Sequence, residues 1–462
     1  MLSQKKAFQI LTLASYGLLF VFAFFFYKER LNVDTSYYFF KTLNEKWFHI
    51  EHDRLVLGIA ELPVWVGSLM QVSLKSIAIA YSLWHVAFFF LIGLLISLRY
   101  KKPEYLLLFL MLQLVGIIYG FVCPVFEQYY GTALLAAMYI ILRHSKKLSA
   151  YSILTLFILS VFAISSHPFN LILYTMLLLL DFVYRRNKYL LIGFLSLVPL
   201  FLIFKIFHVS EYEKGKVSWI FDLVHNKTYL KLTELSHWKK HAHFLFQYYK
   251  EVLLALLLYT MLAFRQKLFR QLTLIILFFA GALILINFSY AITEYSGYNE
   301  QVCYLLVPLV LIPLFTDALT AVRSTFIHYS LVILTCLVLP YRFYLQFQLA
   351  KQHKVKTERV MQWIGEARQK KQCRNYVFFN QFSDISTITG WDIPYSSLLL
   401  SAFEKNQEQV TVVPLEDNVT TEVDSIGAGR YLFRYGEVEQ VKKLNSQYFN
   451  LCDRGRYHNL FP

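Results

Sequence analysis

The sequence predicts an α-helical polytopic membrane protein of about 11 transmembrane helices, with a small α/β C-terminal extracytoplasmic domain. Three observations predict it. Of 462 residues 57% are hydrophobic and only 16% charged, with mean hydropathy +0.45, more apolar surface than a soluble core of this size uses. Apolar runs of spanning length recur between residues 7 and 345, with lysines and arginines at their ends. Beyond residue 346 the chain turns polar and reads as short strands alternating with helices.

The net charge of +15 comes from residues flanking apolar runs, not from a basic arm with interleaved aromatics. It therefore reads as membrane orientation and attraction to lipid head groups, and nucleic-acid binding is excluded. Tyrosine (33) and phenylalanine (42) exceed what spans alone need and suit interfacial belts.

The first run, residues 7–27, follows Lys5 and Lys6, is as long as a full span and lacks a small-x-small cleavage site, so it reads as an uncleaved signal anchor. Further spans are expected at 77–98, 104–122, 129–143, 150–166, 170–184, 189–207, 251–264, 272–289, 302–316 and 325–345. With the N-terminus in the cytoplasm, the inner loops carry Arg99, Lys101 and Lys102; Arg143, Lys146 and Lys147; Arg185, Arg186 and Lys188; Arg265, Lys267 and Arg270; and Arg323. The short outer loops at 123–128, 167–170 and 290–301 hold no Lys or Arg. Charge and parity thus put the N-terminus inside and the C-terminal domain outside. The Phe-, Tyr- and Lys-rich composition and the short inner loops make a bacterial inner membrane the expected location, with an endoplasmic-reticulum origin left open. Residues 1–345 form the transmembrane domain, with outer loops 28–76 and 209–250, and residues 346–462 form a periplasmic domain.

Polar chemistry begins at Asn32–Arg54. Asp34 is expected to cap a helix starting at Thr35, and Phe39, Phe40, Leu43 and Trp47 recur at the spacing of a helix lying flat on the membrane surface. Leu55–Leu74 is apolar, but Glu61 and Pro63 interrupt it, and counting it as a span would reverse every later loop. It reads as a re-entrant or interfacial helix pair. In the tail, a helix is expected at Ala350–Gln372, strands at Tyr376–Phe379, Val410–Val413 and Arg430–Arg434, and a helix at Ser396–Phe403. Cys373 and Cys452 fall there, and both a disulfide and two free thiols fit.

Several residues have the chemistry for a site. Asp34, just beyond a span, suits a general base or a ligand of a divalent cation as well as a cap. Arg54 can grip a phosphate with two parallel hydrogen bonds. Glu61 lies among Ile59, Ala60, Leu62, Pro63 and Trp65, so it needs a partner, expected to be Arg54, or carries a raised pKa. His49 and His52 have metal-compatible spacing, but HxxH without a second confirming motif is a weak signal, and solvated or hydrogen-bonded histidines are the expected reading. Glu127 stands between aromatics at the start of a span, and His167 occupies a tight turn. Tyr295 and Tyr298 can stack on sugar rings, and lysines 227, 231, 239 and 240 can cover a phosphate-bearing ligand or lipid head groups. No phosphate-binding glycine loop, nucleophile elbow or HExxH is present.

This arrangement resembles the GT-C class of integral-membrane glycosyltransferases, through the acid after the first span (Asp34 in NVDTSYYF), a first outer loop with surface helices, an arginine near its end (Arg54 in HDRLVLGIAELP), about eleven spans and an external C-terminal domain. Members often carry two adjacent acids where this chain has Asp34 followed by Thr35. The resemblance implies inverting transfer of a hexosyl or pentosyl group from a polyprenyl-phosphate carrier to a glycan, lipid or protein acceptor on the outer face. It implies Asp34 as base or as ligand of a divalent cation (Mg or Mn), Arg54 on the carrier phosphate, and Glu61 or Glu127 shaping the sugar site. Three other classes remain open: a lipid or solute transporter or flippase, an O-antigen-type polymerase or ligase, and a non-catalytic scaffold of envelope assembly.

Overall fold

The computed structural model describes residues 4–145, 148–290, 292, 294–319, 325–378, 390–404, 407–416, 420–433, 437–452 and 456–461. Lys146, Lys147 and Arg323 of the expected inner loops, and Phe379 and Arg434 of the expected strands, lie outside the described residues. The chain is a helical bundle carrying a small α/β unit.

After α1 (Gln4–Phe25) come two short helices, α2 (Asp34–Glu45) and α3 (Val56–Leu69), before the long α4 (Leu74–Tyr100). Then follow α5 (Pro103–Leu114), α6 (Glu127–His144), α7 (Ala150–Ser166), α8 (Pro168–Arg185), α9 (Lys188–Leu195), α10 (Leu197–Phe207), α11 (Glu211–His225), α12 (Leu235–Tyr248), α13 (Lys250–Gln266), α14 (Phe269–Tyr290), α15 (Gly297–Cys303), α16 (Leu306–Pro313) and α17 (Thr325–Gln369). Among the described residues five stretches are long and apolar enough to cross a membrane: Leu74–Tyr100, Pro168–Arg185, Lys188–Phe207, Phe269–Tyr290 and Gly297–Ala318. α12 and α13, bent by 89° at their junction, make a sixth if they count as one span. Shorter apolar helices, among them α5 and α7, pack beside them. The chain is therefore a membrane protein with fewer spans established by length and hydropathy than the sequence predicts.

Two expectations are corrected. α2 does not lie on a membrane surface: Phe39, Phe40 and Leu43 are fully buried, Phe39 against Tyr81 of α4 and Phe40 against Tyr395, Phe433 and Phe449 of the tail. Its apolar side found protein partners, and only Trp47 beyond it stays exposed. The Leu55–Leu74 stretch is one helix, not a pair, and Pro63 sits inside it. A proline has no N–H for the carbonyl four residues earlier, and the Trp84 indole supplies the missing donor, reaching the Ile59 carbonyl at 2.7 Å. Most of the 209–250 segment is helical, filled by α11, opened by a capping box of Ser210 and Glu213, and α12. α12 is fastened by His237 and His241, both buried on Asn287 of α14.

α17 runs 45 residues through the expected domain boundary at residue 346, so the tail is joined to the bundle by continuous helix. β1 (Arg374–Phe378) is the middle of a parallel sheet, flanked by β2 (Thr411–Leu415) and β5 (His458–Asn459). α18 (Ile393–Ala402) precedes β2, α19 (Thr421–Asp424) follows it, and β3 (Arg430–Leu432) pairs antiparallel with β4 (Val438–Gln440). Cys373 and Cys452 are disulfide-bonded, which decides between the two alternatives.

Candidate functional site

The site is built where α2, the turn after it and the first residues of α6, α8 and α11 meet under the tail. α2 starts at Asp34, one residue earlier than expected, and Asp34 is not its cap: the preceding residue is Val33, and no side-chain cap bond is made. The job is done from the tail. Asp392 accepts the Val33 N–H at 3.0 Å and is itself held by Lys356 at 2.9 Å, while Lys356 also donates to Asn32. Val33 is held at φ 51°, an uncommon conformation for a β-branched residue, and strain of this kind persists only where surroundings impose it. Asp34 is left half-buried, and its charge acts on Tyr38, one turn along the same helix face, and on Cys123.

Beyond α2 the chain reverses through Lys46, His52 and Asp53, all at positive φ. This tight reversal returns Glu51 to the helix it has just left. Glu51 accepts hydrogen bonds from the Tyr37 hydroxyl and, at 3.2 Å, the Tyr38 hydroxyl, with His49 Nε2 3.3 Å away. Burial alone would raise the Glu51 carboxyl, but His49 and Tyr37 outweigh it and hold it at about 2. Burial likewise opposes charging of His49, yet hydrogen bonds to Glu45 and Glu51 bring its pKa to about 9. At neutral pH this is an ionised, fully engaged group, an organiser rather than a base.

Tyr38 bridges to the second carboxylate, 3.4 Å from Glu127. Arg54 Nη1 donates to Glu127 at 2.7 Å, so Arg54 pairs with Glu127 and not with Glu61 as expected. Glu61 instead accepts the His49 backbone N–H at 2.7 Å. Burial pushes its carboxyl up to about 8, against the lowering pull of that bond, which leaves it mostly protonated at neutral pH. Among the described residues the bond to Glu127 is the one the Arg54 guanidinium makes, which leaves its other N–H groups as unused donors.

His167 precedes α8, where its Nδ1 accepts the Phe169 N–H at 3.2 Å and its ring packs on Phe126. Burial, then the nearby Arg54 charge, lower its pKa to about 3, so it stays neutral. Close approach of α6 to the α7–α8 turn depends on Gly131, where a Cβ would lie 2.0 Å from Ser166 Oγ and 2.3 Å from Asn170 Nδ2. His52 meets Ser210 Oγ at 2.9 Å through Nδ1 and stacks on Tyr212, rings 4.8 Å apart. Lys205 ties this corner together by donating to the His52 carbonyl at 2.6 Å and to Asp53 and Glu213.

No protein family, curated protein or solved structure matches this chain. The site's chemistry is therefore read from its own residues. It offers an organised carboxylate pair, a guanidinium with unused donors, a neutral imidazole and tyrosine hydroxyls at the end of a membrane bundle. Of the residues the sequence singled out, Arg54 and Glu127 pair directly, His52 and His167 lie near enough to feel the Arg54 charge, Asp34 joins through α2, and Glu61 reaches the cluster through the His49 backbone. Sequence reasoning missed Tyr37, Tyr38 and Tyr212, and it gave Glu51 no role. A tyrosine pair on one helix followed by a histidine- and acid-rich turn was the available signal. Among the described residues no three of His, Cys, Asp and Glu form a group able to hold a metal ion.

Proposed function

We propose that this chain is an inverting membrane glycosyltransferase of the GT-C type, moving a sugar from a polyprenyl-phosphate carrier to a glycan, lipid or protein acceptor. The observation that carries the reading is the meeting of Arg54, with donors to spare, and the acid-bearing helix α2 at the membrane-bundle end covered by the tail. In this reading the acceptor hydroxyl attacks the anomeric carbon and gives its proton to the Asp34 carboxylate. The bond from that carbon to the carrier phosphate oxygen breaks, and its electron pair leaves with the phosphate. Negative charge grows on the phosphate as this happens, and Arg54, aimed by Glu127, stabilises it. Glu51 and the two tyrosines hold α2 and the turn in register.

About eleven spans, a cytoplasmic N-terminus and a periplasmic tail belong to the same proposal. Two observations support that orientation: basic residues at the helix ends away from the tail, and a Cys373–Cys452 disulfide, which persists in an oxidising compartment. The test is mass spectrometry of lipid-linked sugars and surface glycans from wild-type, deletion and Asp34→Asn strains, with membrane abundance matched. Both mutants should accumulate one polyprenyl-phosphate sugar and lack one glycan modification. Altered glycans in the deletion alone would remove Asp34 from the mechanism, and unchanged glycans in both would end the transferase reading.

A further inference from the structure

α11 carries Tyr212, Lys216 and Trp219 at spacings of four and three, which sets them on one helix face. Lys216 Nζ lies 5.3 Å from the ring centre of Tyr212, 5.8 Å from that of Trp219 and 5.6 Å from that of Tyr298. Tyr290 packs against both Trp219 and Tyr298 at 5.3 and 5.2 Å and closes the back of this cage. The neighbouring cations are neutralised by carboxylates: Arg54 by Glu127, Lys205 by Asp53 and Glu213, Lys214 by Glu211. Lys216 differs. Among the described residues it rests on ring faces and forms no ion pair.

We infer that Lys216 and its aromatic cage form a binding site for a glycosyl phosphate, the ammonium taking the phosphate and the ring faces taking the sugar. This rests on the transferase reading and extends it. Ring faces hold a cation more weakly than a phosphate does, because a charge-assisted hydrogen bond exceeds a cation–π contact, so Lys216 is poised to exchange one for the other. Aromatic faces left beside it are apolar platforms with the flatness a sugar ring needs. The cage is continuous with the site: Tyr212 stacks on His52 and lies near Arg54. A phosphate at Lys216 and one at Arg54 thus border the same tyrosine.

The shared chemistry, a sugar phosphate, has a lipid-linked and a free source. The experiment is native mass spectrometry of the full-length protein with three probes: polyprenyl phosphoglucose, glucose 1-phosphate and phosphatidylglycerol. Lys216→Gln and Trp219→Ala should each weaken a glycosyl phosphate roughly tenfold, as loss of a charge-assisted bond or a stacking face does, and leave phosphatidylglycerol binding unchanged. Lys216→Arg should retain binding, and matched melting temperatures exclude misfolding as the cause. Which glycosyl phosphate responds identifies the source. Equal weakening of phosphatidylglycerol would make Lys216 an ordinary interfacial lysine and overturn the inference, as would no weakening at all. Arg54→Gln separates the two levels. If it weakens polyprenyl phosphoglucose while Lys216→Gln does not, only the cage fails; if neither has an effect, the lipid-phosphate reading of the whole site fails too.

Discussion

Glu61 shows how a single residue's surroundings set its chemistry. Its pKa in the fold, about 8, lies above that of an unfolded chain, so the folded state binds a proton more tightly. Stability from this group is greatest at low pH and falls as pH rises from the unfolded value towards about 8. His49, raised to about 9, adds stability that is complete below its unfolded value and is lost as pH rises through about 9. Glu61→Gln keeps an acceptor for the His49 N–H and removes the ionisation, so its melting temperature should overtake the wild type's above pH 8. Parallel declines of both proteins between pH 5 and 8 would sink the idea. For Arg54 and Glu127, removing either partner leaves a charge in a mostly buried place. Glu127→Gln should cost about 2–3 kcal/mol, below the range for a fully buried pair because Arg54 keeps some solvent contact. Arg54→Gln with Glu127→Gln should cost less than the two singles together, as thermal unfolding of all four proteins would read. Arg54 and Glu127 were each legible as candidates, but their pairing was not, because 73 residues separate them and only packing joins α6 to the turn after α2.

Among the elements, α2 is the one whose placement decides the site. Its helical spacing of Phe39, Phe40 and Leu43 was plain in the sequence, and spacing tells which side is apolar without telling what covers it. α3, Tyr81 of α4 and the tail cover it, and the tail's Asp392 anchors its first turn. Asp392 and Lys356 are both buried, so Asp392→Ala should destabilise the protein by about 3–5 kcal/mol, leaving an ammonium without its carboxylate. The same change should speed proteolysis of the tail and, on the proposed transferase reading, abolish glycan modification even though Asp34 is intact. A stable variant with full activity would show that α2 is positioned without the tail. Within α3, Trp84→Phe removes the donor that answers Pro63, and a loss of about 1–2 kcal/mol in thermal stability is expected from the orphaned carbonyl.

At the scale of the whole molecule, a bundle and a tail share one continuous helix, α17, and are locked by side-chain contacts at α2. Lys41 of α2 pairs with Glu437 and Glu439 of the tail, and Asn445 donates to the Leu43 carbonyl at 2.8 Å. The disulfide closes a stretch of 79 residues within the tail, and cross-links of that reach typically contribute about 2–4 kcal/mol. Reduction should therefore speed amide exchange in β1, β2 and β5 while the bundle helices keep their protection. Exchange that quickens equally in α4 and α8 would mean that tail and bundle unfold as one unit.

The sequence by itself determined the class of molecule. Apolar run length and composition fixed a helical membrane bundle, and the change to short β-branched runs marked the α/β tail, because these are properties of neighbours along the chain. Local chemistry also marked Asp34, Arg54, Glu61 and Glu127, each an ionisable group beside apolar sequence. Tertiary structure alone decided who meets whom: Asp392 rather than Asp34 at the start of α2, Glu127 rather than Glu61 on Arg54, Trp84 on the carbonyl that Pro63 leaves open. Each buried polar group must find a partner, and sequence dictates that need, but which partner comes within 3 Å is settled only when distant helices close on one another.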